Sequence, residues 1–295
     1  MAEKFSFIKY KYIWFIFSGT IIVISLAALV VKGLVFGIEF KGGTLLEVNF
    51  QQPVTVKQIR TSLAQVHLEK SVIQPAANQK KAFIRTPPIK PAEQQAAQAS
   101  LRKIGAVDFN LQQVGASWGR TLTQGTVLAL VLAIINVLLF IAVRFEFKMG
   151  VAAVAALVHD VIIAVGIYAL VGREVTTSTI AAFLTILGYS LYDTIVIFDR
   201  IRENSAVLRK QTYSDMVNVS IWQSLRRSLN TSLTSIIPVT TLLIFGGQTL
   251  KDFAFALLIG LVSGTYSSIF IASPILAWWK EKEPRYRGVR SYRRR

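Results

Sequence analysis

The chain has 295 residues, of which 53% are hydrophobic and only 17% charged, more apolar content than one ordinary water-soluble core can hide, so lipid is the natural place for it. The absence of cysteine removes structural disulfides, thiolate metal sites and cysteine catalysis, and two histidines, His67 and His159, leave little for a metal cluster. A net charge of +17 would point to nucleic acid in a soluble protein, but here the basic residues lie between apolar runs, where they report topology, and no nucleic-acid partner is expected.

Residues 1–36 comprise a short N-terminus and the first apolar run, 12–31. That run is longer than a signal-peptide core and no small-residue cleavage site follows, so it is expected to stay as a membrane anchor.

Residues 37–118 turn polar and are expected to form one small extracytoplasmic domain. Alternation at Leu46, Val48 and Phe50 predicts a strand, and Val56, Ile59, Leu63 and Val66 have helical spacing over 55–68. A short strand near 71–74 and another at 81–85 follow, then a helix that starts after Pro91 and runs to Ile104. Beyond Gly105 comes a last strand with Val107, Phe109 and Leu111 inward. The order β-α-β-β-α-β suits a ferredoxin-like α+β sandwich. Nothing in this domain looks catalytic: its acidic residues are scattered, and His67, near a helix end, reads as solvated. Gly42–Gly43 reads as a turn, since no phosphate-loop pattern GxxxxGK[ST] occurs anywhere. A docking or chaperoning surface is the better expectation.

Residues 119–279 hold five further apolar runs, 122–143, 150–171, 178–198, 228–245 and 252–279. Each is long enough to cross ~30 Å of hydrocarbon. Lys4, Lys9 and Lys11 precede the first span, Arg144 and Lys148 separate the second and third, and Arg200, Arg202, Arg209, Lys210, Arg226 and Arg227 separate the fourth and fifth. The loops with Arg173 and Lys251 carry one basic residue each. Both termini are therefore expected in the cytoplasm of a multi-pass protein of the bacterial inner membrane, with 280–295 forming a basic tail that fixes topology and meets anionic lipid.

Ionisable side chains at membrane depth cost at least ~2.5 kcal/mol each on insertion scales, which makes those that remain functional candidates. His159 and Asp160 fall in the middle of the third span. Asp193 falls in the fourth, six residues before Asp199 at its end. Tyr189, Ser190, Tyr192 and Thr194 surround Asp193, and the fifth span opens with Arg227, Ser228, Asn230, Thr231, Ser232, Thr234 and Ser235, a polar stripe expected to face protein. A carboxyl, a guanidinium and hydroxyls around a narrow wet cavity suit proton transfer, and Asp160 and Asp193 are at similar depths. The alternative is a permanent interhelical hydrogen bond or ion pair, with Arg227 snorkelling to the boundary. Gly260-x-x-x-Gly264 permits close helix contact in the sixth span, and Pro238 and Pro274 offer kinks. No catalytic residue, organic cofactor or resident metal is expected.

The segments Phe36-Gly-Ile-Glu-Phe-Lys-Gly-Gly-Thr44, His159-Asp160, Gly188-Tyr-Ser-Leu-Tyr-Asp-Thr-Ile-Val-Ile-Phe-Asp-Arg-Ile-Arg-Glu-Asn204 and Arg227-Ser-Leu-Asn-Thr-Ser-Leu-Thr-Ser235 together resemble the SecF family of bacterial protein-translocase accessory subunits. The likeness runs from the first span to the last. It implies a fold related to resistance-nodulation-division transporters, in which SecD and SecF each supply six spans and the SecF soluble domain is ferredoxin-like. It also implies a proton relay with the family's intramembrane aspartate at Asp193 and its arginine at Arg227, beside which this chain carries Arg226. Asp160, His159 and Asp199 complete the candidate set. The implied partners are SecD, the SecYEG channel, unfolded preprotein and membrane lipid, with H⁺ or Na⁺ as coupling ion. Two other readings are an exporter of small molecules or lipids in the same superfamily and a passive scaffold of the translocon. A single soluble domain of roughly 80 residues is too small to build a drug-pump funnel alone.

Overall fold

A computed structural model of the chain describes residues 5–76, 79–207 and 211–283. Lys4, Arg209, Lys210 and the tail arginines from Arg285 to Arg295 lie outside the described residues. In chain order the elements are α1 (Lys11–Lys32), β1 (Val35–Phe36), α2 (Ile38–Lys41), β2 (Gly43–Phe50), α3 (Val56–Ala64), β3 (Val72–Ala76), β4 (Lys81–Thr86), α4 (Pro91–Arg102), β5 (Ala106–Val114), α5 (Ala116–Arg144), α6 (Phe147–Val171), β6 (Glu174–Val175), α7 (Thr177–Val207), α8 (Tyr213–Phe245), α9 (Gln248–Ser267), a π-helical turn (Ser268–Ala272) and α10 (Ser273–Lys280). They divide into two units, Phe36–Leu128 on one side and Met1–Val35 with Ala129–Arg295 on the other.

In the smaller unit, four antiparallel strands lie in the order β3-β4-β2-β5. The alternation in β2 does what its spacing predicts. Leu46, Val48 and Phe50 point to one face, where with Ala82 and Ile84 they meet Ile59 and Leu63 of α3 and Ala97 and Leu101 of α4. Each fully buried leucine or isoleucine contributes about 1.5–3 kcal/mol relative to exposure. The helices start where their caps dictate. Thr55 accepts from the Gln58 N–H while the Gln58 side chain accepts from Thr55 N–H, and Pro91 opens α4 with the Glu93 carboxylate accepting from Lys90 N–H. The helix predicted over 55–68 ends at Ala64, because the chain turns through His67 at a positive φ of 58°.

One inward assignment in this unit is corrected. Phe109 and Leu111 pack against the core, but Val107 is 53% exposed. The register shifts between Asn49, opposite Asp108, and Phe50, opposite Ala106, so Val107 is the extra residue of a bulge and Ala106 takes the inward place.

Among the described residues, six helices are long and apolar enough to cross a membrane: Lys11–Lys32, Trp118–Arg144, Phe147–Val171, Thr177–Ala206, Tyr213–Phe245 and Leu250–Lys280, the last being α9, the π turn and α10 in series. The second of these begins in the smaller unit. All are longer than their apolar runs, α7 and α8 by two turns or more. α8 begins fifteen residues before the predicted 228, because Tyr213, Met216, Val217 and Ile221 recur at helical spacing and are buried. The N-terminal segment folds onto this extension: Phe7 N–H donates to Asn218 Oδ1 (2.8 Å) and Trp222 Nε1 donates to Phe5 O (2.7 Å).

Small residues set the closest helix contacts. A Cβ on Gly166 would lie 2.2 Å from Ser25 Cβ, so α6 meets α1 there, and one on Gly260 would lie 2.2 Å from Ile186 Cγ1, so α9 meets α7. Gly264, one turn on, lies against Ser190, and the Gly-x-x-x-Gly pair serves close packing as its spacing suggests. Of the most apolar stretch of each span, 44% of α6, 44% of α7 and 56% of the α9–α10 span are buried, against 17% of α1, 6% of α5 and 11% of α8. α6, α7 and α9 therefore form the middle of the larger unit, and α1, α5 and α8 its periphery.

Candidate functional site

The buried polar residues of the larger unit gather where α6, α7, α8 and α9 meet. Asp160 on α6 is fully buried. Its Oδ1 takes the Ser263 hydroxyl (2.6 Å) and lies 2.9 Å from His159 Nδ1, which donates in the Nδ1–H tautomer. Its Oδ2 takes Ser190 (2.6 Å) and Ser267 (2.7 Å). Four donors match the roughly four lone-pair positions of a carboxylate. The site is full, and it ties α6 to α7 and α9 at one point. The other histidine nitrogen, His159 Nε2, is buried without a partner, and the ring stacks on Tyr266, whose hydroxyl meets Ser18 Oγ at 3.0 Å.

Asp193 on α7 is equally buried, at 1% exposure, and very differently served. Its Oδ2 accepts one bond, from Ser232 of α8 at 3.3 Å. Its Oδ1 and the hydroxyl of Ser228 are both buried, and they lie beside one another without closing a well-formed bond. Ser232 also contacts Thr265 Oγ1 at 2.6 Å, and Thr265 donates onward to Leu261 O at 2.8 Å. The Ser232 hydroxyl thus has one proton for two acceptors, which leaves room in this group for one more. A proton arriving here meets an unsatisfied network; at Asp160 it meets a complete one.

Asp160 and Asp193 do not share a hydrogen-bond partner among the described residues. Ser190, which serves Asp160, is three residues before Asp193 on α7. Thr194 Oγ1 meets Ser268 Oγ at 2.8 Å, and both hydroxyls donate to Ser190 O, so the two aspartates are adjacent turns of one polar seam. The seam ends at the π turn, whose Ser268 carbonyl accepts from Ser273 Oγ (2.8 Å) ahead of Pro274. A wide turn of this kind releases the backbone before a proline that has no N–H to give.

The structure places the other candidates apart. Arg227 Nη2 donates at 3.0 Å, on the exposed side of α8, to the hydroxyl of Tyr192, the residue before Asp193, and not to Asp193 itself. Asp199 is ion-paired with Arg144 at the end of α5, and with Arg202 at 3.1 Å; the sequence predicts it at the end of its helix, but α7 continues about two turns beyond it to Val207. The expected polar stripe at the start of the fifth span splits by face. Ser228 and Ser232 point inward, whereas Arg227, Asn230 and Thr234 are exposed on this chain. Ser263 and Ser267 around Asp160 were not singled out by sequence reasoning. Their signal was an i, i+4 serine pair in an apolar helix, a pattern that also occurs as ordinary packing. No cluster of three or more metal-ligating side chains occurs among the described residues.

Comparison with known proteins gives one answer. The family profile for the C-terminal part of SecD/SecF protein export membrane proteins matches residues 95–282, and that for the SecD/SecF GG motif matches residues 27–54. The chain is 39% identical to the protein translocase subunit SecF of Desulfurispirillum indicum, over 91% of this chain and 88% of the relative. It is 36% identical to that of Thermobaculum terrenum, over 94% of each. Among solved structures it superposes on a crystal structure of SecDF from Thermus thermophilus, a translocon-associated membrane protein, with a TM-score of 0.87 at 33% identity, covering 95% of this chain and 39% of that longer one. With this identity sustained along almost the full length of its relatives, the chain belongs to the SecF family of protein translocase subunits, membrane components of Sec protein transport.

Proposed function

We propose that this subunit couples the transmembrane ion gradient, together with SecD, to the passage of unfolded preproteins through SecYEG, with Asp193 as the proton carrier. The observation that carries this reading is the contrast between the two buried carboxyls: one oxygen of Asp193 has no partner, while Asp160 is saturated. A switching group needs two states of comparable energy. An under-bonded carboxyl beside a hydroxyl with spare accepting capacity offers them, and a saturated one does not. Asp160 with His159 is then the fixed tie of the bundle, Asp199 with Arg144 an anchor at its end, and Arg227 a charge held close to Asp193 through Tyr192. One charge moving through the field gains about 2.3 kcal/mol per 100 mV, enough to shift a conformational equilibrium more than tenfold.

SecD as the partner is supported by the longer SecDF chains, of which this one matches 38% in sequence and 39% in structure. It is supported too by the exposed Arg227, Asn230 and Thr234 on α8, polar groups at membrane depth that another helix has to cover. The domain at 37–118, within the smaller unit, is read as ferredoxin-like and extracytoplasmic. Its strand order β3-β4-β2-β5 supports the fold. The basic residues Lys9, Lys11, Arg144, Lys148, Arg200 and Arg202 support cytoplasmic termini at the inner membrane. The coupling ion is read as H⁺, because a lone carboxyl among hydroxyls can gain or lose a proton without a preformed cage of ligands.

The test is ion flux through proteoliposomes that hold this chain with its SecD partner, with and without Asp193→Asn. Loss of flux and of gradient-driven export, with the complex still assembled, is the expected result. Unchanged export by the variant leaves the scaffold reading in its place.

A further inference from the structure

Four serines of α8, Ser220, Ser224, Ser228 and Ser232, recur every fourth residue and are 0, 5, 1 and 2% exposed. That spacing stacks them on one helix face, ~6 Å apart along the axis. A serine inside a membrane helix normally satisfies itself on the carbonyl four residues back, as Ser220 does on Met216 O at 2.9 Å. Ser228 does not do so; its hydroxyl lies beside the Asp193 carboxyl without closing a well-formed bond.

Both ends of the row are connected. At one end Ser232 donates to Asp193. At the other, Ser220 accepts from Asn204 Nδ2 (2.8 Å), the same amide donates to Gln223 Oε1 (2.8 Å), and Gln223 accepts from Arg200 Nε (2.6 Å). The Arg200 side chain is 42% exposed. The row thus lies between an exposed guanidinium and a buried carboxyl, but no direct bond joins Ser220, Ser224, Ser228 and Ser232 to one another, so groups must bridge the steps between them. One water with a hydrogen bond of ~2.8 Å on either side spans the ~6 Å between successive serine hydroxyls, so one water per step would close the line. Beyond Asp193 the line stops, because Ser232 leads to Thr265 and Thr265 to the backbone carbonyl of Leu261.

We propose that the serine row of α8 is the proton conduit between Asp193 and the aqueous phase at the Asn204 end of the bundle, which is the cytoplasmic end under the orientation read above. Each hydroxyl or water along the row accepts one proton and releases another, so O–H bonds form and break in equal number. The net event is one proton delivered to, or taken from, the carboxylate. The conduit rests on the reading of Asp193 as the carrier, and in this conformation it opens Asp193 to one side only.

The test uses the full chain with its SecD partner in proteoliposomes. Ser224→Ala with Ser228→Ala removes the two middle hydroxyls and is expected to lower proton flux at least about tenfold, a barrier increase near 1.4 kcal/mol. Because the chain contains no cysteine, Ser228→Cys creates a unique thiol. A charged methanethiosulfonate reagent supplied from the Asn204 side is expected to modify it, and to spare Leu229→Cys on the opposite face. Parental flux in the double alanine variant, with Asp193→Asn inactive, overturns the conduit and leaves the carrier reading standing. Parental flux in Asp193→Asn overturns both. Should the double variant fold poorly in a thermal unfolding assay, the thiol decides: a Ser228→Cys that stays unmodified throughout turnover rules the conduit out.

Discussion

Asp160 and Asp193 are buried to the same degree, 0 and 1% exposed, yet Asp160 receives four hydrogen bonds and Asp193 a single long one from Ser232. Their surroundings sort them into a tie and a switch. Asp160→Ala strands three hydroxyls and a histidine nitrogen in the middle of the unit, at about 1–3 kcal/mol for each donor left unsatisfied. A marked fall in the thermal unfolding midpoint in detergent is expected. Asp193→Asn keeps a group that can meet Ser232, and its midpoint is expected to stay close to that of the parent. The reverse ranking would exchange the two roles.

Two glycines hold helices closer than any side chain permits. Gly166→Ala sets a methyl 2.6 Å from Ser25 Cα, and Gly260→Ala sets one 2.2 Å from the Ile186 side chain. The first meets backbone and has no room to adjust; the second meets a side chain that can rotate. Overpacking of this kind costs about 1–3 kcal/mol. Gly166→Ala is expected to be the more damaging when the two variants are compared in one unfolding assay.

Gly43 begins β2 with φ at +140°, and a Cβ there would lie 2.6 Å from the carbonyl oxygen of Thr86, the β4 partner of the next residue, Thr44. Gly42, the C-cap of α2, also has positive φ, at +72°. Gly43→Ala is therefore expected to cost about 1–3 kcal/mol in backbone strain and to open the first rung of the β2–β4 ladder. Amide hydrogen exchange at Leu45 and Arg85, which face each other in that ladder, reads the effect directly. Protection that matches the parent would refute it.

The core of the smaller unit, centred on Leu46, Ile59, Ile84 and Leu101, is a separate cluster from that around Met149, Phe198 and Leu276. Leu101→Ala removes a fully buried side chain at about 2–5 kcal/mol. Faster hydrogen exchange throughout residues 43–114, with α6 and α7 unchanged, is the expected signature. Loss of protection in both units at once would show that they unfold together.

Much of this protein was legible in the sequence because lipid and water impose simple rules. A membrane span must be long and apolar, so six runs announced six helices. A half-buried strand must alternate, so Leu46, Val48 and Phe50 announced β2. The same rules failed where a local event broke the period, as at the bulge that turns Val107 outward, or where a helix ran on beyond the membrane-like stretch on amphipathic spacing, as α8 does from Tyr213.

Sequence by itself determined which groups were unusual: His159, Asp160 and Asp193 stand out because a charge in an apolar run is costly enough to need a reason. Only tertiary structure decided what each of them does with its neighbours. Ser263 and Ser267 lie more than a hundred residues from Asp160, and nothing local records that they close on it. Arg227, adjacent to Ser228 in sequence, bonds to Tyr192, whereas Ser232 on the neighbouring face bonds to Asp193. Hydrogen-bond saturation depends on which helix faces meet, and helix faces meet through packing, here through glycines 166, 260 and 264. A lone sequence carries the cost of burying a carboxyl but not the donors that offset it.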